Sequence, residues 1–153
     1  MVGRFATGVT VVTTVLDGRC HALTANSFTS VSLDPCLVLF CPEKLARFHD
    51  VVLAAGTFAV SVLAEGQQAV SRRFAARGRP LDGQFDGVGH TIGPITGAVL
   101  LDGALSTLEC RTVSTTDAGD HTVVVGEVLG LDVPYPTGAP LLYYEGRYGA
   151  FRP

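Results

Sequence analysis

The residues with most chemistry to offer gather in one stretch, TANSFTSVSLDP at residues 24–35, and in a basic segment just downstream. Ser27, Thr29, Ser30 and Ser32 carry hydroxyls that can bond main chain or ligand, and their small side chains leave the backbone N–H groups open to approach. A flat polar ligand could lie against such main chain, with Val31 and Leu33 as apolar anchors. The same residues also suit a plain strand–turn–strand connection whose serines face water. Asp34-Pro35 stops the stretch, because proline biases its predecessor away from helix and cannot donate to a ladder. Residues 43–79 then hold Lys44, Arg47, Arg72, Arg73, Arg77 and Arg79 against Glu43, Asp50 and Glu65, a net of +3. That leaves −6 on the rest of a chain whose formal charge is −3, which disfavours a nucleic-acid partner. A local cation cluster on an acidic protein suits the phosphate of a small ligand, or simply a solvated helix face. Cys20, Cys36, Cys41 and Cys110 include no CxxC pair, and His21, His49, His90 and His121 stand at no metal-ligand spacing from them, so no metal is expected and the cysteines read as reduced core residues.

The elements that must position these groups are mostly strands. At 153 residues, with 47% hydrophobic and 16% charged residues and 18 glycines, the chain reads as a single domain over 1–153 that buries about 70% of its unfolded surface. The composition suits a strand-rich fold with many turns and an interface between subunits. The first 19 residues have no unbroken apolar core of a signal peptide, and no stretch approaches the ~18 apolar residues of a membrane span, so cytoplasm is expected and no membrane partner.

GVTVVTTVL at 8–16 alternates in part, and Asp17-Gly18-Arg19 turns it into a second run, a β-hairpin that ends at the hydroxyl-rich stretch. CLVLFC at 36–41, bounded by prolines and apolar on both faces, predicts a central strand. Leu45, Phe48, Val52 and Ala55 recur at helical spacing over 44–55, with Gly56 as the C-cap. FAVSVL at 58–63 is a strand, and 65–76 a second helix carrying paired arginines and closed by Gly78 and Pro80. Residues 77–97, with six glycines and two prolines, read as a long surface loop. Its GVGHTIG is no dinucleotide fingerprint: the third glycine falls one position late and no strand precedes it. Residues 104–116 and 121–133 form a long hairpin about a turn at Asp117-Ala118-Gly119, and 141–151 a short one through Glu145-Gly146. Two helices set among antiparallel strands predict a mainly β protein, an antiparallel barrel with peripheral helices.

FATGVTVVTT at 5–14, TANSFTSVSLDP at 24–35, FAVSVL at 58–63, RRFA at 72–75, LEC at 108–110, GDHTVVVGEV at 119–128 and PLLYYEGRYG at 140–149 resemble, in order and spacing, the flavin reductase-like domain. These are small NAD(P)H:flavin oxidoreductases that feed two-component monooxygenases. The resemblance covers nearly the whole chain. It implies a split β-barrel, a homodimer, FMN or FAD held near the subunit interface, NADH or NADPH as co-substrate, and reduced flavin passed to a separate monooxygenase. It further implies that Asn26, Ser27, Val31 and Ser32 meet the pyrimidine edge of the ring, that Thr24 and Ala25 also bind the cofactor, and that Cys41 touches the same pocket. By the same resemblance, phosphate contacts fall at Lys44 and Phe48 and at the Arg73-Phe74 pair, within the basic segment. His121 is similar to the family's nicotinamide-site histidine, orienting the carboxamide or supplying a proton, and Tyr148 lies in a segment that lines the same pocket. Where the family usually has Ser-x-Thr before the first helix, this chain has Ala46 and Phe48. Two readings stand: a reductase, or a split-barrel protein that binds flavin, another planar ligand or a pathway intermediate without turnover. A relative of the pyridoxamine phosphate oxidases would need more strand arginines than the chain offers.

Overall fold

Threonines interrupt the apolar run at residues 10–14, yet every residue there is buried. The hydroxyls of Thr10, Thr13 and Thr14 donate to the carbonyls of Ala25 (2.8 Å), Val99 (2.6 Å) and Thr57 (2.7 Å), so a strand covered on both faces leaves no polar group stranded. Around this strand the computed structural model, which describes residues 2–152, builds a mainly antiparallel β fold with two helices. The elements are β1 (Thr7–Gly8), β2 (Thr10–Leu16), β3 (Arg19–Ala25), β4 (Thr29–Leu33), β5 (Cys36–Phe40), α1 (Arg47–Ala55) and β6 (Thr57–Val62). There follow α2 (Gln68–Ala75), β7 (His90–Ile92), β8 (Val99–Leu101), β9 (Ser106–Ala118), β10 (His121–Asp132), β11 (Leu141–Tyr144) and β12 (Arg147–Ala150). Of the domain expected over 1–153, Met1 and Pro153 lie outside the described residues.

Seven strands form one sheet in the order β3-β2-β6-β9-β10-β5-β4, flanked by the small sheets β1-β11-β12 and β7-β8. Ala25 near one edge and Val38 near the other belong to a single core cluster with Phe40, Phe48, Phe58, Val60 and Val124. The sheet therefore curls about that core without joining its edges β3 and β4, the split barrel that was expected. Phe40 stands edge-on to both Phe58 (centroids 5.0 Å apart) and Phe48 (6.4 Å), tying α1 to the barrel. Each such ring contributes roughly 1.5–3 kcal/mol through burial. A second cluster, with Val11, Leu63, Phe74, Leu101 and Leu141, fills the space between β2 and α2.

Several elements differ from expectation for non-local reasons. Val31 and Leu33 anchor nothing: β4 is an edge strand with no layer over it, and they are 48% and 92% exposed. β5 is next to that edge rather than central, so Val38 and Phe40 are buried while Cys36 is exposed. The first helix starts at Arg47, not residue 44, because Lys44 N–H is taken by the Asp120 carbonyl (2.8 Å) and residues 43–46 form a turn, which leaves Leu45 84% exposed. Gly56 ends α1 in the left-handed region (φ 70°), as its position suggested. The second helix opens with a 3-10 turn, Glu65–Gln67, and α2 begins at Gln68. β9 runs on through Ala118, so the turn is Gly119-Asp120. The expected loop at 77–97 contains the short strand β7, paired with β8. Among the described residues no helix is long and apolar enough to cross a membrane.

Candidate functional site

β3 is an edge strand, paired with β2 alone. The carbonyls of Cys20 and Ala22 face away from β2, where Gln84 Nε2 (2.9 Å) and the Arg79 guanidinium donate to them. In an antiparallel pair, main-chain groups of alternate residues share a direction, so the Thr24 N–H and C=O face the same free edge. Along that edge lies a cavity of about 560 Å³, walled by residues 21–27, by the loop from Cys41 into α1, and by the end of α2 with the loop to Leu81. His121 also lines it.

The loop walls are held by hydrogen bonds rather than by packing alone. Ser27 Oγ accepts from Cys41 N–H (3.1 Å) and donates to the Cys41 carbonyl (3.2 Å), so this hydroxyl fastens the two walls together. Thr122 N–H donates to the Pro42 carbonyl (3.1 Å), and His49 bridges Asp50 Oδ1 (2.7 Å) and Thr122 Oγ1 (2.8 Å), docking the start of α1 on β10. Thr24 Oγ1 donates to the Ser71 carbonyl (2.7 Å), and Ser71 Oγ bonds the Tyr148 hydroxyl (2.8 Å), which fixes α2 against β3.

Of the residues singled out in the sequence, Thr24, Ala25, Asn26, Ser27, Cys41, Phe48, Phe74 and His121 line this cavity. The others lie outside it. Val31 and Ser32 are on β4, Lys44 pairs with Asp117, and Arg73 reaches the Gly83 carbonyl (3.2 Å). Tyr148 supports the wall through Ser71 with the Arg72 guanidinium 5.5 Å from its ring centroid. Phe48 turns its ring into the core and leaves the cavity open. Burial pushes the Cys41 thiol up, so it is a neutral wall rather than a nucleophile.

His121 Nδ1 meets Asp120 Oδ1 at 2.7 Å. Its hydrogen bond, and then its charge, hold the Asp120 carboxyl below the usual range. An ionised Asp120 fixes the proton on Nδ1, which leaves Nε2 free to meet a ligand.

The cations at the cavity are Arg47, Arg77 and Arg79, which a charge count signals as a segment but cannot pick out individually. Arg77 is paired with Glu43 (2.5 Å). Arg79 is not matched to a carboxylate among the described residues: Nη1 donates to the Phe74 and Ala76 carbonyls (both 3.0 Å), Nη2 to Ala22, and Nε to Gln84, above the Phe74 ring at 5.4 Å. Burial, and after it Arg47, push its pKa down, as befits a cation beside another cation. Among the described residues no three His, Cys, Asp or Glu side chains converge to hold a metal ion.

The N-cap of α1 is Ala46, with no side-chain cap. Restoring a hydroxyl with Ala46→Ser is expected to raise stability by about 1 kcal/mol, read by urea denaturation, and to tighten binding of any phosphate-bearing ligand beside Arg47.

The chain matches the flavin reductase like domain over residues 2–152. It belongs to that family. Among its relatives in the family is an NADH-dependent FAD reductase of Streptomyces globisporus, 46% identical over 153 residues, covering 99% of this chain and 82% of the relative. Another is the reductase subunit of a flavin-dependent monooxygenase of Mycobacterium tuberculosis, 39% identical over 154 residues, covering 100% of this chain and 80% of the relative. The solved structure of an NADH:FAD oxidoreductase of Streptomyces globisporus in complex with NAD and FAD fragments superposes with a TM-score of 0.93, at 44% identity, over 99% of this chain and 88% of that one. The split barrel and its two helices are thus the family's fold, reached here with Ala46 as the N-cap of α1 and Phe48 in its first turn.

Proposed function

We propose that the chain is an NAD(P)H-dependent flavin reductase that uses FMN or FAD and releases the reduced flavin to a separate monooxygenase. The observation that carries this reading is the open edge of β3: free main-chain groups at Thr24, short side chains at Ala22, Thr24, Ala25 and Ser27, and cations at the α2 side of the same cavity. That combination fits a planar ring with a polar edge and an anionic tail. A bound flavin supplies a ring that takes a hydride from reduced nicotinamide. The protein's share is position: Thr24 and Asn26 meet the ring edge, Ser27 and Cys41 hold the wall, and Arg47 and Arg79 hold the tail. His121, its Nδ1 fixed by Asp120, offers Nε2 to the nicotinamide carboxamide.

As a homodimer the chain would cover the exposed apolar side chains of β4 and of the far end of β10, Val31, Leu33, Leu129 and Leu131. Its four cysteines are all free thiols, which suits the cytoplasm. Sedimentation should give twice the chain mass, and Leu33→Asp should shift the protein toward monomer.

The test is the loss of reduced-nicotinamide absorbance with free riboflavin, FMN or FAD in excess. Turnover of a free flavin supports the reductase, and tight flavin binding without turnover sinks it. His121→Ala is expected to raise KM for the nicotinamide about tenfold, the loss of one hydrogen bond, with the flavin KM nearly unchanged. An unchanged nicotinamide KM would remove His121 from that role.

A further inference from the structure

His121 sits on the least supported stretch of the large sheet. β6 leaves β9 after Arg111, and β5 reaches β10 only from Val124, so over residues 113–123 the two long strands have only each other as strand partners. A two-stranded ribbon is at best marginally stable by itself in water. This one has little burial to add, since every residue of β9 from Val113 to Ala118 is exposed. Thr122 alone among residues 113–123 is buried, at 7% exposure.

Among the described residues, three kinds of polar contact reach this ribbon from the rest of the protein. The loop after β5 bonds main chain on either side of His121: Lys44 N–H donates to the Asp120 carbonyl (2.8 Å), and Thr122 N–H donates to the Pro42 carbonyl (3.1 Å). Lys44 also pairs through its side chain with Asp117, which lies in solvent, where an ion pair holds weakly. The third contact alone starts from a packed element. His49 is 8% exposed on α1, whose Phe48 and Val52 belong to the main core cluster. Its Nδ1 stands 2.7 Å from Asp50 Oδ1 and its Nε2 2.8 Å from Thr122 Oγ1. With Asp50 accepting from Nδ1–H, Nε2 is left to accept from the Thr122 hydroxyl. Successive strand residues point to opposite faces, so a Thr122 pinned to α1 turns His121 the other way, into the cavity that it lines.

We propose that His49 is a positioning residue for the nicotinamide site: through Thr122 it holds the ribbon so that His121 Nε2 stays aimed into the cavity. The inference rests on the reading of His121 as the partner of the nicotinamide carboxamide, and it names the group that keeps that partner in place. Without the pin the ribbon still pairs with itself and the barrel still closes on its core. The His121 ring then samples several placements, of which only a fraction meet the carboxamide, and the apparent affinity for the nicotinamide falls by that fraction. Flavin contacts along β3 keep their strength, because β3 lies at the far side of the sheet from β10 and does not depend on the ribbon.

The experiment measures the NADH KM of the whole protein with saturating riboflavin, beside its urea midpoint. His49→Phe keeps a ring of similar size and loses the bond to Thr122; it should raise the NADH KM about fivefold and leave the riboflavin KM nearly unchanged. In the His121→Ala background the same change should add nothing, because it acts only through His121. His49→Gln, whose amide can reach the Thr122 hydroxyl, should restore most of the parent KM. His49→Phe combined with Thr122→Val replaces both polar partners by apolar groups of similar shape, so the urea midpoint should return toward the parent value while the NADH KM stays high. Thr122→Val alone keeps the shape of the strand residue and carries the same KM prediction if the His49 variants fail to fold. A parent-like NADH KM in the His49→Phe or Thr122→Val protein, a further rise in the His121→Ala background, or a KM that recovers together with stability in the double variant would overturn the proposal. If His121→Ala still raises the NADH KM in those cases, the reading of His121 stands and this inference alone fails.

Discussion

An Arg79→Ala protein is expected to bind FAD about a hundredfold more weakly than the parent while riboflavin binding changes little, as read by flavin fluorescence titration. The guanidinium holds a fixed positive charge at the cavity and, among the described residues, has no carboxylate to dilute it, so a phosphate-bearing tail meets it at full strength. Losing the one charge-assisted hydrogen bond that the remaining Nη2 N–H can make, roughly 1.5–3 kcal/mol, accounts for that factor. The same fork ties β3 to the loop after α2 through the Ala22, Phe74 and Ala76 carbonyls, so the variant should also lose about 1–3 kcal/mol of stability, or several degrees in Tm. Arg79→Lys separates the two effects: a point charge recovers part of the binding but cannot reach three carbonyls at once. A variant with parent-like discrimination between FAD and riboflavin would place the tail elsewhere.

Gly126→Val is expected to cost about 3 kcal/mol or more, measured by urea denaturation. A Cβ there would stand 2.4 Å from Phe58 Cζ and 3.1 Å from Cys110 Cβ. Phe58 and Cys110 are fully buried, so neither has room to retreat. The β9–β10 register shifts between Val125 and Gly126, and the close approach of β10 to the Phe58 ring occurs at that irregularity. Adding Phe58→Leu to Gly126→Val should recover part of the loss, and the two changes should be non-additive because the side chains touch. A cost below about 1 kcal/mol would mean that β10 can shift away, and the fixed placement of His121 at its start would be in doubt.

What the sequence made legible was local, and what it hid was non-local. The hairpins at Asp17-Gly18 and Glu145-Gly146 announce themselves because turn residues and alternation lie within a few positions of each other. The rank of a strand in its sheet depends on pairing across the whole chain, so β5 read as central and Val31 and Leu33 read as anchored although β4 is an edge. In the site, the short side chains at 24–27 marked the open strand, and the charge of residues 43–79 marked the basic wall. Which cations reach the cavity is decided by the direction of one turn and one loop. Lys44 is drawn to Asp117 and Arg73 to Gly83, while Arg47 and Arg79 face the cavity.

If the open edge of β3 holds a flavin where reduced nicotinamide can reach it, hydride passes within the complex. The most direct measurement is anaerobic stopped-flow mixing of the FAD-loaded protein with NADH and with NADH deuterated at the transferred position. Bleaching of the flavin absorbance in a single turnover, slowed by the deuterium and slowed again in His121→Ala at limiting NADH, is the predicted result. A flavin that stays oxidised under NADH, although bound in the cavity, would contradict it.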